Sequence, residues 1–307
     1  MNPYFRLLTG LCLVALASAL ISSCTINRPE LGTEGNPIRF FLVPSVDAQM
    51  LESKGVLVQR YLEKHTPYKY RFAVPASYVA VVEAFGTRRA DVAALNTFGY
   101  LVANERYQTE ARIAFVRHGS ETYSAQIVAR ADGPINSVED IDGRRFAYVD
   151  PASTSGYILP ARLFRERGIT PSDTVFAKRH DNVITMIYQG QVDAGATFYT
   201  PPQDGKIEDA RRLVLTQFPD VEEKIKIVEL TDEIPNDPIV FRAELPEEMK
   251  ESIVSALLQY METDEGKDTF RALYGISSMV RTTDSRYDEV RKMLLDLGRS
   301  AADLMQN

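Results

Sequence analysis

From Ile38 to Arg242 short apolar runs alternate with stretches of helical spacing, and this alternation restricts the fold more than any other feature of the chain. Residues 38–43 read as a strand halted by Pro44. Residues 49–64 carry Leu51, Val56, Val58, Tyr61 and Leu62 at helical spacing. A strand at 70–74, a helix at 78–85, a strand at 90–95 and a helix at 98–105 follow. A strand at 123–130 then leaves this unit, and a short helix at 138–143 leads into a second series. That series has a strand at 145–149, a helix after Ser153 ending near Gly168, a strand at Phe176, a helix at 182–189 and strands at 192–197 and 225–230. Residues 239–242 form a returning strand, and two long amphipathic helices, 247–263 and 285–305, close the chain. Strands alternating with helices build doubly wound sheets. Two such series joined by two extended crossings, near 127–130 and 232–240, give an α/β clam-shell. The expected division is 38–128 plus 239–307 for lobe 1 and 129–238 for lobe 2. A ligand in such a fold sits between the lobes, at strand C-terminal ends and helix N-termini.

The N-terminus reads as an export signal. Arg6 supplies its positive charge, and residues 7–21 form an apolar stretch short for a membrane span. The run ends Leu20-Ile21-Ser22-Ser23-Cys24, which resembles a bacterial lipobox and implies cleavage of residues 1–23 and lipidation of Cys24; an ordinary secretory signal is the alternative. The other cysteine, Cys12, lies inside the discarded stretch, so the mature chain keeps one thiol and no disulfide. Several acyl chains at about 0.8 kcal/mol per buried methylene hold a protein at a membrane surface. Residues 24–37, rich in Gly, Pro, Asn and Glu, read as a tether. The formal charge is −7. Loss of the signal, whose one charged side chain is Arg6, makes the chain more acidic still, which disfavours nucleic acid as a partner.

The stretch Asp150-Pro151-Ala152-Ser153-Thr154-Ser155-Gly156-Tyr157 follows a strand and opens a helix. The first amides of a helix have no internal acceptor, and its dipole places positive charge there. With three hydroxyls beside them, these amides suit a tetrahedral oxyanion. On the octapeptide alone a plain N-cap, with Ser153 or Ser155 serving the helix's own amides, explains the pattern as well. His180 falls between a strand and a helix, placed to donate to an anion or to start the helix. Asp237, in Ile234-Pro235-Asn236-Asp237-Pro238, is held by two prolines on the second crossing. It serves either as an acceptor for a ligand proton or as part of a rigid turn. Tyr78 and Tyr100 each set a phenol near a helix start, facing an anion or packed in the core.

Catalytic signatures are missing from the sequence: there is no GxxxxGK[ST], HExxH, GxSxG or CxxC. The three histidines, His65, His118 and His180, are widely separated, which makes a metal centre an unfavoured expectation, and no cofactor is expected. A Ser155–His180–Asp237 triad is the hydrolase alternative, with nothing local to activate Ser155.

Taken together, the Ser77–Ala84 segment, Asp150 to Pro160, His180 to Ile184 with Gly190–Ala194, and Ile234 to Val240 resemble the phosphate, phosphite and phosphonate solute-binding proteins of ABC transporters. These are the PhnD-like family of two-lobed periplasmic binding proteins, and the likeness runs over nearly the whole mature chain. It implies the type 2 periplasmic-binding-protein fold, each lobe a doubly wound mixed sheet with two hinge crossings. It implies that Ser153, Thr154, Ser155 and the amides after them, Gly156 included, hold phosphorus-bound oxygens. His180, Tyr78 and Tyr100 are implied as further contacts and Asp237 as an acceptor. Aminophosphonate-binding relatives tend to carry another carboxylate after the Val-Asp-Ala stretch. Here the region is Thr197-Phe198-Tyr199-Thr200-Pro201, which favours a small oxyanion such as phosphite, phosphate or methylphosphonate. The expected protein is a monomeric, lipid-anchored, extracytoplasmic receptor that is not an enzyme and docks on an ABC permease. A sensor that presents the same closed form to a membrane kinase is the alternative.

Overall fold

The computed structural model describes residues 29–296. The expected signal, Cys12 and Cys24 lie outside the described residues, as do residues 297–307 at the end of the last expected helix.

The first sheet begins with β1 (Ile38–Leu42), β2 (Tyr70–Ala73), β3 (Val92–Ala94) and β4 (Glu110–Val116). The chain then builds the second sheet from β5 (Thr122–Arg130), β6 (Arg145–Tyr148), β7 (Asp173–Phe176), β8 (Ala194–Tyr199), β9 (Ile225–Leu230) and β10 (Ile234–Pro235). It returns to the first with β11 (Pro238–Phe241) and β12 (Ser278–Arg281). The first sheet has the order β12-β4-β11-β3-β1-β2; the second runs β10-β5-β8-β6-β7 with β9 also on β5. Both are mixed. β1 is parallel to β2 and β3 while β11 is antiparallel to β3 and β4. β6 is parallel to β7 and β8, whereas β5 is antiparallel to β8, β9 and β10. This is the two-lobed α/β arrangement read from the sequence.

The elements form for local reasons. In β1 the buried residues alternate, Ile38, Phe40 and Leu42 facing the core; at about 1.5–3 kcal/mol each, their burial holds the strand in register. The helix Ala48–His65 opens on Asp47, whose carboxylate accepts from Met50 N–H at 3.0 Å, and buries Leu51, Gly55, Val58 and Leu62 on one stripe. Together with the helices Glu247–Glu262 and Asp264–Tyr274 it covers the outer face of the first sheet. Ile127, Phe146 and Phe164 anchor the outer face of the second. One further apolar cluster runs continuously from Val81, Val82 and Leu101 beside the first sheet to Val149, Val183 and Ile187 beside the second, so the two halves are packed against each other.

The first crossing lies earlier than the sequence suggested. All of β5 belongs to the second sheet, paired with β8 from Ser124↔Tyr199 to Ala129↔Ala194, so the chain crosses between Val116 and Thr122 rather than at 127–130. His118 and Gly119 take positive φ there, 49° and 79°. The second crossing is at Asn236–Asp237, between β10 and β11. The two are laced together: Asn236 N–H donates to Glu121 O at 2.9 Å and its Nδ2 to Ser120 O at 2.8 Å. Two paired crossings with few residues each have the form of a hinge.

Candidate functional site

A cavity lies where the two halves meet. The first sheet and its helices contribute Val43, Ser45, Val46, Tyr78, Asn96, Arg117, Asp237, Leu273 and Tyr274, and the second half contributes Tyr123, Ser153, Thr154, Ser155, His180, Phe198 and Arg212. It offers about 40 Å³ to the centres of water-sized spheres. A single water needs about 10–15 Å³ by that measure, so the space suits a small polyatomic ion.

The Asp150–Tyr157 segment forms its floor. After Ser153 the chain takes a wide π-type turn, Thr154–Ile158, before the helix Leu159–Arg167; such turns locally re-aim backbone groups. Ser153 Oγ accepts from Gly156 N–H at 3.1 Å, so this hydroxyl does act as the N-cap. Thr154 Oγ1 accepts from Asn96 Nδ2 at 2.8 Å and from Phe98 N–H at 2.9 Å, both on the other half. The N–H groups of Thr154 and Ser155 have no acceptor among the described residues. The floor therefore divides its tasks: one hydroxyl closes the turn, one joins the halves, and two amides are left for something else.

Around this floor several polar groups are buried without protein partners. Tyr78 Oη has none and lies within the cavity wall; burial, then the Asp150 and Asp237 charges, push its pKa well up, so it is a neutral phenol. Asp150 is buried, and burial raises its pKa against hydrogen bonds from the N–H groups of Ala152 and Tyr78. The cap of the helix Tyr78–Gly86 is Ser77, whose Oγ accepts from Ala80 N–H at 3.2 Å. His180 packs edge-on against Phe198 at 5.0 Å, and its Nδ1 has no partner. Burial, aided by the Arg117 charge, lowers its pKa from 6.5 to about 3. Between these values the unfolded chain binds a proton that the folded chain refuses. This contribution is whole above about pH 6.5 and is lost as pH falls toward 3. His180→Gln is expected to flatten the acid-side fall in unfolding midpoint over that window; a pH–midpoint curve that keeps the wild-type slope contradicts the assignment.

Asp237 lines the cavity, yet both its oxygens are engaged. Oδ2 accepts from Arg117 Nη2 at 2.9 Å, and Oδ1 from Thr97 N–H at 3.1 Å and Tyr123 Oη at 3.3 Å. It locks Arg117 and caps the helix Thr97–Tyr107 rather than offering a free acceptor. It does not face His180 Nδ1, so no Ser155–His180–Asp237 relay is assembled. Tyr100 is elsewhere: it donates to Asp284 at 2.5 Å and packs edge-on against Tyr287, away from the cavity lining. A further phenol of the lining is Tyr123, on β5, whose Oη donates to Asp237 Oδ1 at 3.3 Å beside Thr154 and Ser155. Gly156 is outside the lining. A Cβ there would come within 2.4 Å of Val149 Cγ2, so its role is to let the turn press onto β6. Gly156→Ala is expected to displace Thr154 and Ser155 and lower ligand affinity at least about tenfold, of the size a misplaced charged hydrogen bond produces; unchanged binding by calorimetry contradicts this.

Sequence reading missed Arg117, Arg212, Asn96 and Tyr123. Each sits in a strand, loop or short turn without a motif of its own, and the fold alone brings them to one place.

Two mixed α/β halves, joined by paired crossings and closed over a polar cavity, define the two-lobed class of periplasmic-binding-protein-like folds. Residues 40–287 match the family model for the ABC transporter phosphonate periplasmic substrate-binding protein. The chain belongs to that family. It is 31% identical over 206 residues to the phosphate-import protein PhnD of Mycolicibacterium smegmatis, covering 62% of this chain and 63% of that protein. It is 24% identical over 291 residues to the phosphonates-binding periplasmic protein of Escherichia coli K12, covering 92% and 83%. Among solved structures, PhnD1 of Prochlorococcus marinus in complex with methylphosphonate superposes with a TM-score of 0.73 at 16% identity, over 85% of this chain and 98% of that one. That likeness is one of fold.

Proposed function

We propose that this chain is an extracytoplasmic receptor that binds a small phosphorus oxyanion between its two lobes and delivers it to an ABC importer. The observation that carries this reading is the pair of unpaired amides at Thr154 and Ser155 on the floor of an inter-lobe cavity. Ser153, Thr154, Ser155, Tyr78 and His180 are the ligand-facing residues carried over from the sequence. Asp237 acts behind them, by fixing Arg117. Amide donors and neutral phenols from both halves grip an anion only when the halves are together, so ligand stabilises the closed form by its differential contacts. Charge-assisted hydrogen bonds contribute about 1.5–3 kcal/mol each. Four to six of them reach about −8 kcal/mol, a micromolar Kd, after the costs of association.

The family match, and relatives named for phosphate import and phosphonate binding, support phosphite, methylphosphonate or phosphate as ligand. Phe198, near the end of β8 in the neutral segment 197–201, lines the cavity where a carboxylate would suit an ammonium group. A thermal-shift panel of these anions on the purified protein tests the reading, since a ligand stabilises by RT ln(1 + [L]/Kd). A shift with one of the three at micromolar concentration is expected; no shift with any contradicts it. Anchoring through Cys24 belongs to the same proposal: Cys24→Ala is expected to move the protein from the membrane fraction to the soluble one, and retention in the membrane contradicts the anchor.

A further inference from the structure

Two arginines line the cavity, and they are held very differently. Arg117 is fully engaged: Nη1 donates to Asn236 Oδ1 at 2.5 Å, Nη2 to Asp237 Oδ2 at 2.9 Å and Nε to Tyr274 O at 3.3 Å. Arg212 comes from the short turn Ala210–Val214 of the other half and reaches across to Gly275, where an added Cβ would stand 2.8 Å from its Nη2. Its Nε is buried without a hydrogen-bond partner. Glu208 pairs with Arg212 loosely, Oε2 standing 3.9 Å from Nε, at ion-pair distance but beyond hydrogen-bond distance. The other oxygen of Glu208, Oε1, accepts from Arg271 Nη2 at 3.0 Å, while Oε2 also lies 3.5 Å from His118 Nε2.

A buried guanidinium N–H without a hydrogen bond is destabilising, and a fork of N–H donors is the natural partner of a phosphorus oxyanion. The charged side chains in the lining are Arg117, Arg212 and Asp237. Arg117 and Asp237 pair by a hydrogen bond, which leaves Arg212, whose counter-ion Glu208 stands behind the lining at 3.9 Å, as the lining cation with no hydrogen-bonded carboxylate. No unengaged carboxylate lines the cavity to receive a ligand cation, and the remaining wall includes Val43, Val46, Phe198 and Leu273.

From this juxtaposition we infer that Arg212 sets the charge selectivity of the site: it selects the dianionic form of a small phosphorus oxyanion with a compact uncharged substituent, and the site disfavours aminoalkylphosphonates. This rests on the receptor reading above. The Thr154 and Ser155 amides hold oxygens in either ionisation state, whereas a guanidinium with an unbonded N–H gains from the second negative charge. Arg212 thus distinguishes ligands that the floor treats alike.

The test is calorimetry with methylphosphonate and 2-aminoethylphosphonate, on wild type, Arg212→Gln and Arg212→Lys, at pH values below and above the second ionisation of a phosphorus oxyanion, near about pH 6. Wild type is expected to prefer methylphosphonate at least about tenfold and to bind it more tightly at the higher pH. Arg212→Gln is expected to lose about tenfold to a hundredfold in methylphosphonate affinity, with the pH dependence flattened and the preference narrowed. Arg212→Lys keeps the charge without the fork, so it is expected to keep the pH dependence at reduced affinity, and it carries the test if the Gln variant does not fold. Wild-type affinity and pH dependence in Arg212→Gln, or a flat pH response in Arg212→Lys at wild-type affinity, overturns the inference while leaving the receptor reading intact. Wild type that binds neither probe overturns the receptor reading, and the inference falls with it.

Discussion

Asp237→Ala is expected to lower the folding stability by about 3–5 kcal/mol, the cost of leaving a buried charge without its partner. Arg117 and Asp237 are both largely shielded from solvent, with side-chain exposures of 8% and 16%, so screening by water does little for the surviving cation. The loss extends beyond the pair. The same carboxylate accepts from Thr97 N–H at the start of the helix Thr97–Tyr107 and from Tyr123 Oη. Arg117 is itself bonded to Asn236, on the second crossing. The substitution therefore loosens a helix cap, a phenol of the cavity and the hinge together. Denaturant unfolding measures it directly. A change below about 1 kcal/mol, the level of an exposed ion pair, contradicts the placement of Asp237 as a buried keystone of the hinge.

Thr154→Val is expected to weaken methylphosphonate binding by about tenfold to several hundredfold, with little change in the stability of each half. Valine keeps the shape and removes the oxygen that accepts from Asn96 Nδ2 and Phe98 N–H. Asn96 retains a bond to Ala152 O at 2.8 Å, whereas the Phe98 amide is left with no acceptor. A buried donor without a partner costs about 1–3 kcal/mol, and this cost falls only on the closed arrangement, because water reaches both groups when the halves part. The lost affinity is thus lost closure. Thr154→Ser, which keeps the hydroxyl, is expected to stay near wild type. Calorimetry on both variants, with small-angle scattering of the liganded forms, checks this. Equal affinity for the valine and serine variants contradicts the clasp.

Much of this architecture was legible because periodicity reports burial. The alternating Ile38, Phe40 and Leu42, and the stripe Leu51–Val58–Leu62, place β1 and the helix behind it within a residue or two. Other elements were not read, among them β4, the helix Asp264–Tyr274 and β12. In β4 the buried Ala111, Ile113 and Phe115 alternate with Glu110 and Arg112, and the charges are held outside the strand by Glu247 and Lys250; the charged pair broke the apolar run that marked the other strands. The helix Asp264–Tyr274 follows Glu247–Glu262 with one extended residue between them, Thr263, whose hydroxyl caps it through Gly266 N–H at 3.0 Å. Neither proline nor a positive-φ residue marks the join. β12 is four residues long with Met279 as its buried side chain, too short for a period to show.

The site was legible in its floor and less so in its walls. Ser153, Thr154, Ser155, His180, Tyr78 and Asp237 all line the cavity because each lies at a strand or helix end, where the sequence signal for a terminus coincides with the place where chains meet. Tyr100 was misplaced by one helical face: Thr97, three residues earlier, faces Asp237, and Tyr100 turns to Asp284 and Tyr287. Arg117 and Arg212 carry no local signature. A lone arginine reads as surface until the fold shows it shielded, and here two such residues line the cavity of an acidic protein.

Anion binding at this site rests on the unpaired amides of Thr154 and Ser155. A crystal structure of the protein with methylphosphonate is the most direct measurement. It is expected to show phosphonate oxygens within hydrogen-bond distance of both N–H groups, with Tyr78, His180 and Arg212 closing over the ligand. Ligand found on an outer surface, or a cavity in which those two amides turn to acceptors of the protein's own chain, contradicts it.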